Sequence, residues 1–128
     1  MPEPRRFSAP LIAALHASKI LGVRAGTAPH RFTGVWVVEV KGRVFVRSWN
    51  DKPTGWHRAF LDEPRGVIQL TSGREIRVRA RRATGARLLD AIEAAYAEKY
   101  DTAASLKWVR GFKQPRRRAT TTEFVPSR

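Results

Sequence analysis

The sequence predicts an α+β, mainly β fold in which an antiparallel sheet closes into a barrel flanked by two helices. Three observations carry this expectation. Two pairs of β-branched and aromatic runs meet at short turns: 35–40 with 43–49 across Lys41-Gly42, and 67–70 with 75–82 across Thr71-Ser72-Gly73-Arg74. Apolar positions Leu88, Leu89, Ile92, Ala95, Tyr96 and Tyr100, with Lys99 among them, recur at three- and four-residue steps and mark one long helix after the hairpins. A last strand, 120–125, follows that helix and must rejoin the sheet, and closing a sheet of about six strands removes its aggregation-prone edges.

The elements follow in order. With 128 residues, 42% hydrophobic and 28% charged, the chain suits a single core. The expected domain is 8–126, and 1–7 is expected to be a flexible tail, because Pro2, Pro4, Arg5 and Arg6 offer little to bury. Ser8 is placed to cap a helix with Pro10 in its first turn, and Leu11, Ile12, Leu15 and Lys19 continue it towards Gly22. After the brief apolar run 20–23, Gly26, Pro29, His30 and Arg31 read as a turn or loop between two strands. In the strand 43–49, Val44, Val46 and Ser48 share one face, and Arg43, Phe45, Arg47 and Trp49 share the other. Residues 50–55 are turn formers throughout and deliver Trp56 and His57 into a short helix or turn through Leu61, which Pro64 and Gly66 end. In 75–82, Ile76, Val78 and Ala80 point inward, and Glu75, Arg77, Arg79 and Arg81 point outward. The segment 101–115 has no periodicity to which an element can be assigned.

Lys and Arg number 25 against 11 Asp and Glu, a formal net charge of +14, and the isoelectric point is about 11.6. Anionic partners are therefore favoured, whether nucleic acid, a nucleotide cofactor or an acidic metabolite, since the arginine fork grips phosphate and carboxylate. The alternative is scattered charge that only keeps the chain soluble. There is no cysteine, which excludes disulfides, thiolate metal sites and a cysteine nucleophile. No histidine pair has metal-ligand spacing, and neither a Gly-x-Ser-x-Gly elbow nor a Walker loop occurs, so no metal is expected. The apolar stretch 9–20 is interrupted by Pro10, His16 and Lys19 and is too short to cross a bilayer. A cytoplasmic protein without a membrane partner is expected.

Several stretches resemble one bacterial family. Val35-Trp36-Val37-Val38-Glu39-Val40, Arg43-Val44-Phe45-Val46-Arg47-Ser48-Trp49-Asn50 and Gly55-Trp56-His57-Arg58-Ala59 are similar to the family of domain of unknown function 2255. So are Ala94-Ala95-Tyr96-Ala97-Glu98-Lys99-Tyr100 and the ending from Arg118 to Pro126. More distantly, the element order resembles the pyridoxamine-phosphate-oxidase-like split barrels and the actinobacterial deazaflavin-dependent reductases. That resemblance implies a split β-barrel that holds flavin mononucleotide (FMN) or a deazaflavin in a groove, commonly at a homodimer interface. Where those reductases cradle the cofactor phosphate with a Gly-Lys-Pro-Arg-like strand, this chain has Thr27-Ala28-Pro29-His30-Arg31-Phe32-Thr33.

Arg47, Ser48, Trp49, Trp56 and Lys99 are the candidate cofactor-binding residues. Arg47, Ser48 and Trp49 end a strand beside a loop, where an arginine can hold phosphate and an indole can pack on a planar ring; the alternative is that Trp49 fills the core and Arg47 pairs with a surface carboxylate. Arg47 is expected to be exposed there, so that its replacement weakens ligand binding and spares the fold. The resemblance nominates Trp56 as the aromatic near the cofactor; His57 is either a hydrogen-bond partner of the ring or an ordinary polar residue. Lys99 meets a cofactor phosphate or snorkels at its helix end. The leading function is a flavin- or deazaflavin-binding oxidoreductase with unassigned catalytic residues. The alternatives are a small-molecule-binding or structural barrel without its cofactor, and a basic nucleic-acid-binding module that uses Arg77, Arg79, Arg81, Arg116, Arg117 and Arg118.

Overall fold

A computed structural model describes residues 6–26 and 30–127. Six strands form a closed antiparallel barrel in the order β1-β2-β3-β6-β5-β4: β1 (Ile20–Ala25), β2 (Thr33–Val40), β3 (Arg43–Val46), β4 (Arg65–Gln69), β5 (Glu75–Arg82) and β6 (Thr122–Pro126). Both predicted hairpins form. At the β2–β3 turn Lys41 and Gly42 take positive φ of 52° and 76°, the left-handed pair whose twist suits a two-residue hairpin. The inward faces of all six strands fill the barrel, with Leu21, Val23, Val37, Val44, Val46, Ile68, Val78 and Phe124 at its centre. Ile76, Val78 and Ala80 face inward as expected, because β5 pairs Val78 with Gly66 and Ile76 with Ile68.

Five helices lie among the described residues: the two flanking helices expected, the short segment after residue 55, which is a helix, and two more. The first, α1 (Ala9–Ala17), is capped by the Ser8 side chain, and its buried Leu11 and Leu15 close one end of the barrel. It stops at Ala17, earlier than its apolar spacing suggested, and the run after it is the first barrel strand. Phe7, assigned to the tail on composition, is 8% exposed and packs into the barrel core. Arg6, also assigned to the tail, is exposed and its Nη1 donates to the Lys41 carbonyl at 3.4 Å; residues 1–5 lie outside the described residues, as do residues 27–29 of the expected phosphate-cradle equivalent.

The short helix α2 (Trp56–Asp62) inserts Phe60 against Phe124, and Gly66 makes room for it: a Cβ there would land on the Phe60 ring and the Arg24 carbonyl. The long helix α3 (Ala86–Lys99) covers the outer face of β2 and β3, burying Ile92, Tyr96 and Tyr100 against Val38 and Phe45 as a second core. The unassigned segment contains α4 (Ala103–Gly111), whose Thr102 caps the Ser105 amide at 3.2 Å, and α5 (Pro115–Arg118) starts at its end. Its Leu106, Val109 and Phe112 are spaced by three, but over too few turns to stand out among Lys107, Trp108 and Arg110.

Candidate functional site

The barrel is split where two tyrosine hydroxyls take the place of sheet rungs. The β2–β3 ladder runs from Val40↔Arg43 to Val37↔Val46 and ends there. Tyr96 Oη stands at the next position, accepting from the Arg47 amide at 3.1 Å and donating to the Trp36 carbonyl at 2.9 Å. Tyr100 Oη does the same beyond the Ile20↔Trp36 pair of β1 and β2, accepting from the Val37 amide at 3.0 Å and donating to the Lys19 carbonyl at 2.6 Å. Burial raises the pKa of both phenols, so the bridging protons stay in place.

Past this wedge the chain after β3 diverges from the first half of β2, and a groove of about 670 Å³ opens between them. Thr33, Gly34, Val35 and Trp36 line one side; Arg47, Ser48, Trp49, Asn50, Lys52, Thr54, Gly55 and Trp56 line the other, with Trp108 and Phe112 of the α4 region completing it. All four tryptophans of the chain border this one groove. Their rings are held by neighbours. Trp36 stacks on Tyr100 with centroids 4.2 Å apart and planes 2° from parallel. Trp49 meets Trp108 edge-on at 4.8 Å and Phe112 at 5.5 Å, and the Arg117 guanidinium lies 3.5 Å over its ring while Arg117 Nε donates to the Trp49 carbonyl at 2.7 Å. Trp56 packs on Phe60 and the barrel core.

Four of the five candidate residues thus come together. Ser48 shapes the loop: its Oγ accepts from the Asp51 amide at 2.9 Å, and its own amide donates to Thr120 Oγ1 at 2.8 Å. Asp51 holds a positive φ of 42° and is clamped by His57 Nδ1 at 2.8 Å and by Arg58 at 2.9 and 3.1 Å. Burial alone would raise the Asp51 pKa, but the hydrogen bonds from His57 and Arg58 outweigh it and hold the carboxylate below its ordinary value. His57 is therefore a loop fastener and does not border the groove.

Arg47 borders the groove, yet its side chain is turned away from it. The residue is 2% exposed, and its guanidinium donates to Thr121 Oγ1 (2.7 Å), the Phe112 carbonyl (3.0 Å), the Leu89 carbonyl (3.2 Å) and Glu93 (3.3 Å). Burial lowers its pKa, with Glu93 opposing. It fastens α3, α4 and β6 to the end of β3. The expectation of an exposed strand-end arginine free to hold phosphate is corrected on this geometry, because α3 and α4 cover the sheet face on which Arg47 lies.

Lys99 lies elsewhere. It borders a separate hollow with His16, Val38, Glu39, Ala95 and Glu98, and its Nζ donates to the Val37 carbonyl at 2.8 Å and the Leu15 carbonyl at 3.2 Å. A cation at the last turn of α1 suits the negative end of that helix. Burial lowers the Lys99 pKa to about 8.

Of the arginines nominated for nucleic acid, Arg81 pairs with Glu123 at 2.9 Å, Arg117 covers Trp49, and Arg118 pairs with Asp90 and Glu93. Arg77, Arg79 and Arg116 are exposed. Sequence reasoning missed Trp36, Trp108, Phe112 and the tyrosine wedge. The usable signal was the small number of tryptophans in the chain and the Tyr96-x-x-x-Tyr100 spacing on one helical face.

A family model described as an uncharacterized protein conserved in bacteria (DUF2255) matches residues 11–123. No curated protein matches the chain. Among solved structures, the conserved hypothetical protein Rv2991 from Mycobacterium tuberculosis superposes with a TM-score of 0.66 at 14% identity, covering 100% of this chain and 85% of that one. At that identity the likeness is one of fold.

Proposed function

The chain belongs to the bacterial family DUF2255, and for this member we propose that the aromatic groove binds a flavin-type cofactor, flavin mononucleotide or a deazaflavin, in an oxidoreductase. One observation carries the reading: all four tryptophans converge on one groove. Large rings that border one groove favour a planar conjugated ligand, and each well-placed aromatic pair contributes about 0.5–1.5 kcal/mol beyond area burial. A volume of about 670 Å³ falls in the range of small-molecule sites. Thr33, Ser48, Asn50 and Thr54 bring polar groups to the lining for the ring's heteroatoms, and Lys52 adds a cation with no side-chain partner among the described residues.

A bound flavin supplies hydride and electron transfer, which no side chain of this groove performs. The chain's own part is position. Trp36 is held by Tyr100, and Trp49 by Trp108, Phe112 and Arg117, so the walls need little reordering when a ring enters. The test is titration of the purified protein with flavin mononucleotide and with a deazaflavin, following tryptophan emission and ligand fluorescence. Saturable quenching with a dissociation constant of tens of micromolar or tighter, weakened in Trp49→Ala and Trp56→Ala, is expected. No saturable change at that concentration removes the reading and leaves the barrel fold intact.

A further inference from the structure

A second concavity, of about 350 Å³, adjoins the aromatic groove, and the two share Ser48, Trp49 and Asn50 as a common wall. Their characters differ. The groove is aromatic; the adjoining depression is basic, with Arg58, Arg116 and Arg117 around a single carboxylate, Asp51. Asp51 is already matched by Arg58 in a two-bond fork at 2.9 and 3.1 Å. Arg117 spends Nε on the Trp49 carbonyl and Nη1 on the Gly111 carbonyl at 3.2 Å, which leaves Nη2 without an acceptor among the described residues. Arg116 is exposed and has no side-chain partner among the described residues. Two positive charges therefore stand uncompensated around a pocket that also offers the Asn50 side chain and the loop around Ser48.

We infer that this depression is an anion subsite, which holds the phosphate group of a ligand whose ring lies in the aromatic groove. The inference rests on the flavin reading for the ring and adds a location and a specificity: the chain selects phosphorylated over unphosphorylated ligands, through Arg116 and Arg117. The geometry supports the link, because Arg117 is at once the cover of the Trp49 ring and a wall of the depression. A ligand needs only to pass over the Asn50 edge to touch both. Guanidinium groups suit this task, since their planar forks match phosphate oxygens and stay charged at every physiological pH. Arg47, which the sequence pointed to for the same task, is consumed inside the protein.

The experiment compares flavin mononucleotide with riboflavin, which has the same ring and no phosphate, on the wild-type protein and on Arg116→Ala, Arg116→Lys and Arg116→Glu. Arg116 is exposed, so the three variants should unfold at the wild-type temperature, which the same thermal scan verifies. In the wild type at low salt, flavin mononucleotide should bind at least about tenfold tighter than riboflavin, with an affinity that falls as salt rises. Arg116→Ala should remove most of that preference, Arg116→Lys should restore part of it, and Arg116→Glu should abolish it, all with riboflavin affinity unchanged. Equal binding of the two ligands by the wild type overturns the subsite and leaves the ring site standing, as does a preference that survives in all three variants. Should neither ligand bind, the ring reading fails, and phosphorus line broadening of inorganic phosphate decides the subsite. Broadening that depends on Arg116 retains it, and its absence overturns it.

Discussion

Replacing Arg47 by Ala tests whether the end of β3 is built as described. The substitution removes donors to Thr121 Oγ1, Glu93 and the carbonyls of Phe112 and Leu89, all in a side chain with 0% exposure. Breaking a buried pair from one side costs about 3–5 kcal/mol. Here Glu93 is not stranded, because Arg118 Nε lies 2.7 Å away, although in poor hydrogen-bond geometry. The expected loss is therefore at the lower end, about 3 kcal/mol, with the orphaned Phe112 carbonyl contributing about 1–3 of it. For a chain of this length each kcal/mol shifts the melting midpoint by roughly 3–5 °C, so a drop of about 10–15 °C is expected by calorimetry. Arg47→Lys should recover little, since one ammonium cannot span acceptors on α3, α4 and β6 together. A drop under about 3 °C in Arg47→Ala, on the same scale, would show an exposed strand-end arginine and refute the reasoning.

Three further outcomes follow from the same contacts. Glu123 is 3% exposed and bridges Arg43, through a fork at 2.8 and 3.0 Å, to Arg81; burial would raise its pKa, but the hydrogen bonds from the two arginines outweigh this and lower it. Its contribution is present above the unfolded carboxylate pKa of about 4.3 and is lost as pH falls through the lower folded value, so the melting gap between wild type and Glu123→Gln should be widest near neutrality and close in acid. Tyr96→Phe leaves the Arg47 amide and the Trp36 carbonyl without their bridge; a loss of about 1–3 kcal/mol in urea unfolding and faster hydrogen exchange at the Arg47 amide are expected. Gly111→Ala places a Cβ on the Trp49 indole, so the ring must move; its emission should shift and groove affinity should fall about tenfold, or roughly 1.4 kcal/mol.

Much of the barrel was legible because its signals are local. The alternation of Ile76, Val78 and Ala80, the positive-φ pair Lys41-Gly42 and the Ser8-Pro10 start each lie within a few residues. What alternation does not reveal is which side of a strand meets water and which meets a helix. Phe45 and Arg47 share an outward face, and only the docking of α3 and α4, many residues later, makes that face a second core. The site divides in the same way. Ser48 and Trp49 were named from their place at a strand end beside a loop, and Trp56 from the family resemblance. Trp36, Trp108 and Phe112 were not, because the groove exists only where Tyr96, on a distant helix, interrupts the pairing of β2 with β3. Lys99 stands on the helix stripe where its spacing put it, but that end of the helix faces α1 and Val37 and not the groove.

The chain's four indoles give the most direct test of the central claim, since a nitrogen–proton correlation spectrum should contain four indole cross-peaks, every one from a residue that borders the groove. Addition of flavin mononucleotide should shift or broaden these peaks together and saturably, with the Trp49 and Trp56 signals moving most, while amides of the β4–β5 hairpin stay in place. Four unmoved indole peaks at tens of micromolar ligand, or changes confined to amides of the arginine-bearing outer face of β5, would contradict the assignment of this groove as the binding site.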